Sequence, residues 1–191
     1  MPTRSARLWG TRVMNFAWGR AAGAACAGLL LLSACGGSDA DPSADSAARA
    51  EAAAYFLTSN ARAEGIQTTE SGLQYKVIAS GPADGVQPDS NDLVRVEYEG
   101  SLTNGTVFDS SYQRGAPAVM SPQGLVPGWT EALQMMRPGD EWMLYVPPAL
   151  GYGEEGRPPA IPGNSVLVFR IKLLAVAPAP GGHRGVGQAT G

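Results

Sequence analysis

Histidine and cysteine are nearly absent from this chain of 191 residues, and the few it has are poorly placed for chemistry. The one histidine, His183, sits in a Gly-rich stretch near the C-terminus, and both cysteines, Cys26 and Cys35, lie near the N-terminus. No zinc site can be assembled from that inventory. A Ser/His or Cys/His pair is excluded on similar grounds, because a catalytic imidazole must be held rigidly beside its nucleophile. Lysine and arginine form no basic run, and the net charge of -3 argues against nucleic acid as a partner. No apolar run reaches the ~20 residues that a membrane-spanning helix needs. Internal repeats are lacking too. Hydroxyls, carboxylates, backbone groups and apolar cavities are what remain for function.

The N-terminus reads as an address. Arg4, Arg7, Arg12 and Arg20 precede an apolar stretch, 21–32, and Ser33, Ala34 and Cys35 follow. A basic region, a short apolar region and small residues make a secretory signal. Leu32-Ser33-Ala34-Cys35 resembles the bacterial lipoprotein box, in which the cysteine is lipidated and becomes the new N-terminus. The expectation is a signal peptide over 1–34 and a lipid on Cys35. That lipid would tie the protein to a bacterial membrane, the outer membrane on its periplasmic side. Each buried CH₂ of the lipid contributes about 0.8 kcal/mol, so several acyl chains hold firmly. Cys26 would leave with the signal, and the mature chain would have no disulfide.

Hydrophobic residues make up 44% and charged residues 16%, a balance that fits a packed core rather than a disordered chain. Residues 35–45 are small, polar and acidic, and read as a flexible tether. An Ala-rich helix is expected over 46–65, with Asp45 or Ser46 as N-cap and Gly65 as its stop. Its Tyr55 and Phe56 need a partner surface. Strands are expected at 73–78, 93–102, 106–109, 141–146 and 166–174. In the second of these Val94, Val96 and Tyr98 share one face while Arg95, Glu97 and Glu99 share the other, the period of a half-buried strand. Asn104-Gly105 is a strong hairpin turn, since both residues accept positive φ. Trp129, Leu133 and Met136 form a helical stripe within 127–136, and Pro138-Gly139-Asp140 ends it. The loop 147–165 is rich in Gly and Pro, and the tail 176–191 has no periodicity and is expected to be disordered. The fold class is therefore α+β. An antiparallel sheet of about five strands wraps over one short α-helix, preceded by an N-terminal helical arm.

Several aromatic residues sit beside turns. Most are assigned to packing on general grounds. Tyr152 differs, because it lies in Gly151-Tyr152-Gly153 within the long loop, where glycine-fixed aromatics tend to line sites.

Six stretches, in order, carry a resemblance. They are Ser71-Gly72-Leu73-Gln74-Tyr75, Val96-Glu97-Tyr98-Glu99-Gly100, Gly105-Thr106-Val107-Phe108-Asp109-Ser110-Ser111 and Leu125-Val126-Pro127-Gly128-Trp129, then Leu150-Gly151-Tyr152-Gly153 and Ile161-Pro162-Gly163-Asn164-Ser165-Val166-Leu167-Val168-Phe169. Together they resemble the FKBP-type peptidyl-prolyl cis/trans isomerases over residues 66–175, and the helix ahead resembles the N-terminal arm of exported bacterial members. The resemblance implies an FKBP-like fold, isomerisation of X-Pro bonds in exported proteins during folding, no metal or other cofactor, and binding of rapamycin-type macrolides. Tyr152, Asp109, Tyr98 and Phe108 match its catalytic positions. Trp129, Val126, Leu125, Ile161, Phe169 and Arg114 match its substrate-binding positions, with Trp129 as the floor under the proline ring and Arg114 beside the Asp. Three positions depart from the pattern. Ala118 stands where an aromatic is common, which predicts a more open wall; Arg157 stands where a histidine is common; and Ala160 replaces a larger aliphatic.

The chemistry expected of such a pocket follows from the amide. Rotation about X-Pro is slow because resonance must be lost, at a cost of roughly 18–20 kcal/mol. The twisted bond is less dipolar than the planar one, so a dry aromatic cavity favours it without nucleophile or metal.

Overall fold

The computed structural model describes residues 42–181. The expected signal, Cys35, most of the tether and the end of the tail lie outside the described residues. In chain order the elements are α1 (Pro42–Asn60), β1 (Gln67–Thr68), β2 (Gln74–Ala79), β3 (Leu93–Leu102), β4 (Val107–Ser110), β5 (Ala118–Met120), α2 (Pro127–Met135), β6 (Glu141–Val146), a 3₁₀ turn (Pro148–Leu150) and β7 (Leu167–Ala177).

One antiparallel sheet of seven strands runs β1-β2-β6-β7-β3-β4, with β5 also paired to β3. The additions to the expected set are β1 and β5, of two and three residues, too short to leave a period in the sequence. Alternation places the core on one face. Val94, Val96 and Tyr98 of β3, Trp142, Leu144 and Val146 of β6, and Leu167, Phe169, Ile171 and Leu173 of β7 are all buried. The α2 stripe closes over them, with Trp129, Ala132, Leu133 and Met136 buried in the same cluster. Each large apolar side chain buried this way contributes about 1.5–3 kcal/mol. Pro127 opens α2, where its missing N–H costs nothing. Gly128 lets the helix come close, since a Cβ there would lie 2.7 Å from Val146 Cγ1.

β4 and β5 share one edge of β3. β4 pairs with its C-terminal part, where Gly100 faces Asp109, and β5 with its N-terminal part, where Val96 faces Ala118. Ser111 bridges the gap. Its N–H donates to Tyr98 O at 2.9 Å and its Oγ accepts from the Tyr98 N–H at 2.8 Å. The backbone of Tyr98 is thereby fixed at the point where the edge strand divides.

Two boundaries differ from the sequence reading. The first helix begins at Pro42, which is pre-set for a first helical turn, and ends at Asn60 well before Gly65. Buried Gln74 of β2 stops it, donating to Leu57 O at 2.9 Å and accepting from Asn60 Nδ2 at 2.9 Å. The chain then turns through Gly65 at φ 77°. β7 continues to Ala177, because Ala175, Val176 and Ala177 pair with Arg95, Val94 and Leu93 of the long β3. Residues 176 and 177, read as the start of the tail, therefore belong to the sheet. α1 lies on the sheet face opposite α2, with Phe56 6.1 Å from Tyr145, which alternates with core residues Leu144 and Val146. Tyr55 remains 76% exposed. No helix among the described residues is long and apolar enough to cross a membrane.

Candidate active site

A cavity of about 690 Å³ opens beside the first turn of α2. Its walls come from β3, β4, β5 and β7, from the loop entering α2, and from the loop between β6 and β7. That size falls within the usual range for small-molecule sites.

The floor is aromatic. Trp129 meets Tyr98 edge to face at 5.0 Å and Phe169 edge to face at 5.2 Å, and Phe169 meets Phe108 at 5.6 Å. Each such contact is worth about 0.5–1.5 kcal/mol beyond burial. Perpendicular packing fixes the rings against each other while leaving the cavity open. Gly100 makes room for two of them, since a Cβ there would sit 2.6 Å from the Phe169 ring and 2.7 Å from the Phe108 ring.

A polar cluster sits at one edge. The Tyr98 hydroxyl donates to Asp109 Oδ2 at 2.6 Å, and Arg114 pairs with Asp109 Oδ1 while donating to the Tyr98 hydroxyl at 2.9 Å. The guanidinium carbon also stands 5.3 Å from the Tyr98 ring centre. Side chains of Arg114 and Asp109 are 48% and 43% exposed, so the ion pair itself adds at most about 1 kcal/mol of stability. Its consequence is positional, because both Asp109 oxygens are held.

Partial burial opposes ionisation of Asp109, but the hydrogen bonds from Tyr98 and Arg114 outweigh it and set its carboxyl below the usual aspartate value. Burial, and then the bond to Asp109, raise the Tyr98 phenol above its ordinary value. Stability from Asp109 is thus present above its unfolded value of about 3.9 and is lost as pH falls through the lower folded value. That from Tyr98 is present below about 10 and is lost as pH rises through the higher folded value. The described residues include no histidine. Activity of this site is expected to be flat from about pH 5 to 9, as measured by a pH–rate profile; a bell centred near neutrality would mean an unidentified titrating group.

Tyr152 reaches the cavity from the long loop. Gly153 at φ 62° turns the chain, and the Gly151 and Gly153 N–H groups both donate to Pro148 O. Arg157 Nη1 lies 3.4 Å from the Tyr152 hydroxyl, and its guanidinium stands 5.9 Å from that ring's centre.

Of the residues marked in the sequence, Tyr98, Phe108, Asp109, Leu125, Val126, Trp129, Tyr152, Ile161 and Phe169 line this one cavity. Arg114 stands outside it, bound to two of them. Ala118 is not among the lining residues, and Met120, two residues on in β5, contributes to that wall. Met120 left no signal because its strand is too short for a period. Gly124, Pro158 and Pro159 also line the cavity, and nothing in their composition distinguished them from ordinary turn residues. Gly100 lay within a matched stretch, but its steric role needed the facing rings.

Two family models match the chain. Residues 85–174 match "FKBP-type peptidyl-prolyl cis-trans isomerase" and residues 37–77 match "Domain amino terminal to FKBP-type peptidyl-prolyl isomerase". A peptidyl-prolyl cis-trans isomerase Mip of Coxiella burnetii is 50% identical over 127 residues, 66% of this chain and 54% of that one. An "Outer membrane protein MIP" of Legionella longbeachae is 44% identical over 124 residues, 65% of this chain and 52% of that one. The chain spans about half the length of the curated relatives it matches. The crystal structure of a peptidyl-prolyl cis-trans isomerase from Pseudomonas syringae pv. tomato superposes with a TM-score of 0.65 at 33% identity, covering 70% of this chain and 96% of that one. This chain belongs to the FKBP-type peptidyl-prolyl cis-trans isomerase family.

Proposed function

We propose that the protein catalyses cis/trans rotation of X-Pro bonds in exported proteins as they fold. The observation that carries this reading is the open cavity over the Trp129 ring, framed by fixed polar groups on two sides. A proline ring would rest on Trp129 between Phe108, Phe169 and Val126. The Tyr152 hydroxyl would donate to the carbonyl preceding the proline. Asp109, immobilised by Arg114 and Tyr98, would act on the reacting amide by its field, as both its oxygens already accept hydrogen bonds. No proton transfer or covalent step is required. A rate gain of about 10⁵ needs only about 7 kcal/mol of preference for the twisted bond. Leu125 and Ile161 would complete the apolar walls.

Exchange of a short X-Pro peptide measured by NMR tests the proposal, with and without a rapamycin-type macrolide. Exchange far faster than the uncatalysed time of about 10–100 s, removed by the macrolide, is expected. A second reading is a proline-binding module with negligible turnover, favoured by the contact of Arg157 with the Tyr152 hydroxyl. Tight macrolide binding without acceleration would select it.

Export and lipidation at Cys35 complete the proposal. They rest on the basic-apolar-small pattern of the N-terminus, and the name of the Legionella longbeachae relative agrees with a membrane location. Mass spectrometry of protein from the membrane fraction is expected to find Cys35 acylated and N-terminal. A Cys35→Ala protein that stays equally membrane-bound would contradict it.

A further inference from the structure

Charge on the cavity lining is confined to two side chains, Asp109 and Arg157. Asp109 is neutralised by Arg114. Among the described residues Arg157 makes no ion pair, and Glu154 and Glu155 of the same loop neither bridge to it nor line the cavity. Its guanidinium is a permanent cation with five donors. One of its nitrogens approaches the Tyr152 hydroxyl at 3.4 Å, which uses little of that capacity.

The position of this cation is built into the loop. Arg157 N–H donates to Ile161 O at 2.7 Å, and Ile161 N–H returns a bond to Arg157 O at 3.0 Å. Gly156 N–H holds Tyr152 O at 3.0 Å, and Gly156 must be glycine there, because a Cβ would fall 2.4 Å from Ile161 O. Backbone bonds on either side therefore keep Arg157 beside Tyr152 and at the rim of a hollow whose other charged side chain, Asp109, is paired with Arg114.

We propose that Arg157 is a specificity-determining residue that selects X-Pro bonds in which X is acidic. The inference rests on the isomerase reading, in which Tyr152 binds the carbonyl of X. A group within hydrogen-bond reach of that hydroxyl is adjacent to the side chain of X. A carboxylate of Asp or Glu at X would accept two hydrogen bonds from the guanidinium fork. A Lys or Arg at X would meet like charge, and the carboxylate on the cavity lining, Asp109, is already paired with Arg114. The site faces solvent, so the effect is one of moderate Coulomb attraction that salt screens.

Four peptides differing only at X, with Glu, Gln, Leu or Lys before proline, test this. Both kcat/KM for exchange and Kd by titration are measured, so the preference is read even if turnover is absent. At low ionic strength the Glu peptide is expected to have a kcat/KM about three- to tenfold higher, and a Kd about three- to tenfold lower, than the Lys peptide, with Gln between them. The ratio should collapse toward one in Arg157→Gln, invert in Arg157→Glu and survive in Arg157→Lys. Raising salt to about 1 M, where the Debye length is about 3 Å, should also erase it. Equal handling of Glu and Lys peptides by the wild-type protein would overturn the inference while leaving the isomerase reading intact. A ratio unchanged in Arg157→Gln would do so too. Absence of catalysed exchange with every peptide would defeat the isomerase reading instead, and the Kd ratios would still decide the role of Arg157.

Discussion

Trp129→Ala is expected to lower stability by about 3–5 kcal/mol and to remove more than about 99% of catalysed exchange. Trp129 is 4% exposed and is the shared partner in two edge-to-face contacts, with Tyr98 and Phe169. Truncation deletes the surface on which the proline ring would sit and frees both neighbouring rings to tilt into the void. For a domain of this size the loss corresponds to a melting temperature lower by roughly 10–20 °C. Trp142→Ala provides the comparison. Trp142 is buried in the same core cluster and stacked on Tyr75 at 4.5 Å, but it does not line the cavity. Its loss should cost similar stability while most activity survives below the melting point. Parallel loss of activity in both variants would place the effect in folding rather than in the pocket floor.

Asp109→Ala is expected to do the reverse, lowering kcat/KM about ten- to hundredfold with a stability change of no more than about 1 kcal/mol. The small stability term follows from the exposure of the Asp109–Arg114 pair. The larger kinetic term follows from loss of the carboxylate's field at the reacting amide, of about the size of a charged hydrogen bond, 1.5–3 kcal/mol. Removing the carboxylate also releases the Tyr98 hydroxyl and the Arg114 guanidinium from their shared acceptor. Tyr152→Phe should follow the same pattern, since among the described residues its hydroxyl has only the long contact to Arg157. Steady-state kinetics beside thermal unfolding separates the two quantities. Equal falls in activity and melting temperature would count against a role for either residue at the reacting bond.

Much of this was legible in the sequence, for physical reasons that can be named. Period-two burial marked β3 because its outer face carries Arg95, Glu97 and Glu99, and period 3.6 marked α2 through Trp129, Leu133 and Met136. Both patterns arise from one buried face against water. β5 was illegible because three residues hold no period, and with it went Met120, which lines the cavity. The end of α1 was misplaced because its stop is tertiary: Gln74, fourteen residues beyond Asn60, supplies the capping bonds. Gly65 in the sequence looked like the sufficient cause. Likewise Gly100 is required by rings brought to it from β4 and β7, a demand that no local rule reveals. The polar cluster was legible only through resemblance. Alone, Asp109 would read as a turn residue and Arg114 as a surface cation, and their convergence on Tyr98 depends on how β4 and Ser111 attach to β3.

Affinity for a bond already twisted is the decisive quantity. Two proline-containing ligands of matched composition should be titrated against Trp129 fluorescence, one with an ordinary planar X-Pro amide and one whose carbonyl is held out of the amide plane. If the aromatic hollow works by preferring the rotated, less dipolar state, the out-of-plane ligand binds at least about a hundredfold more tightly. Equal affinity for the two would mean that the pocket recognises proline without lowering the barrier to its rotation.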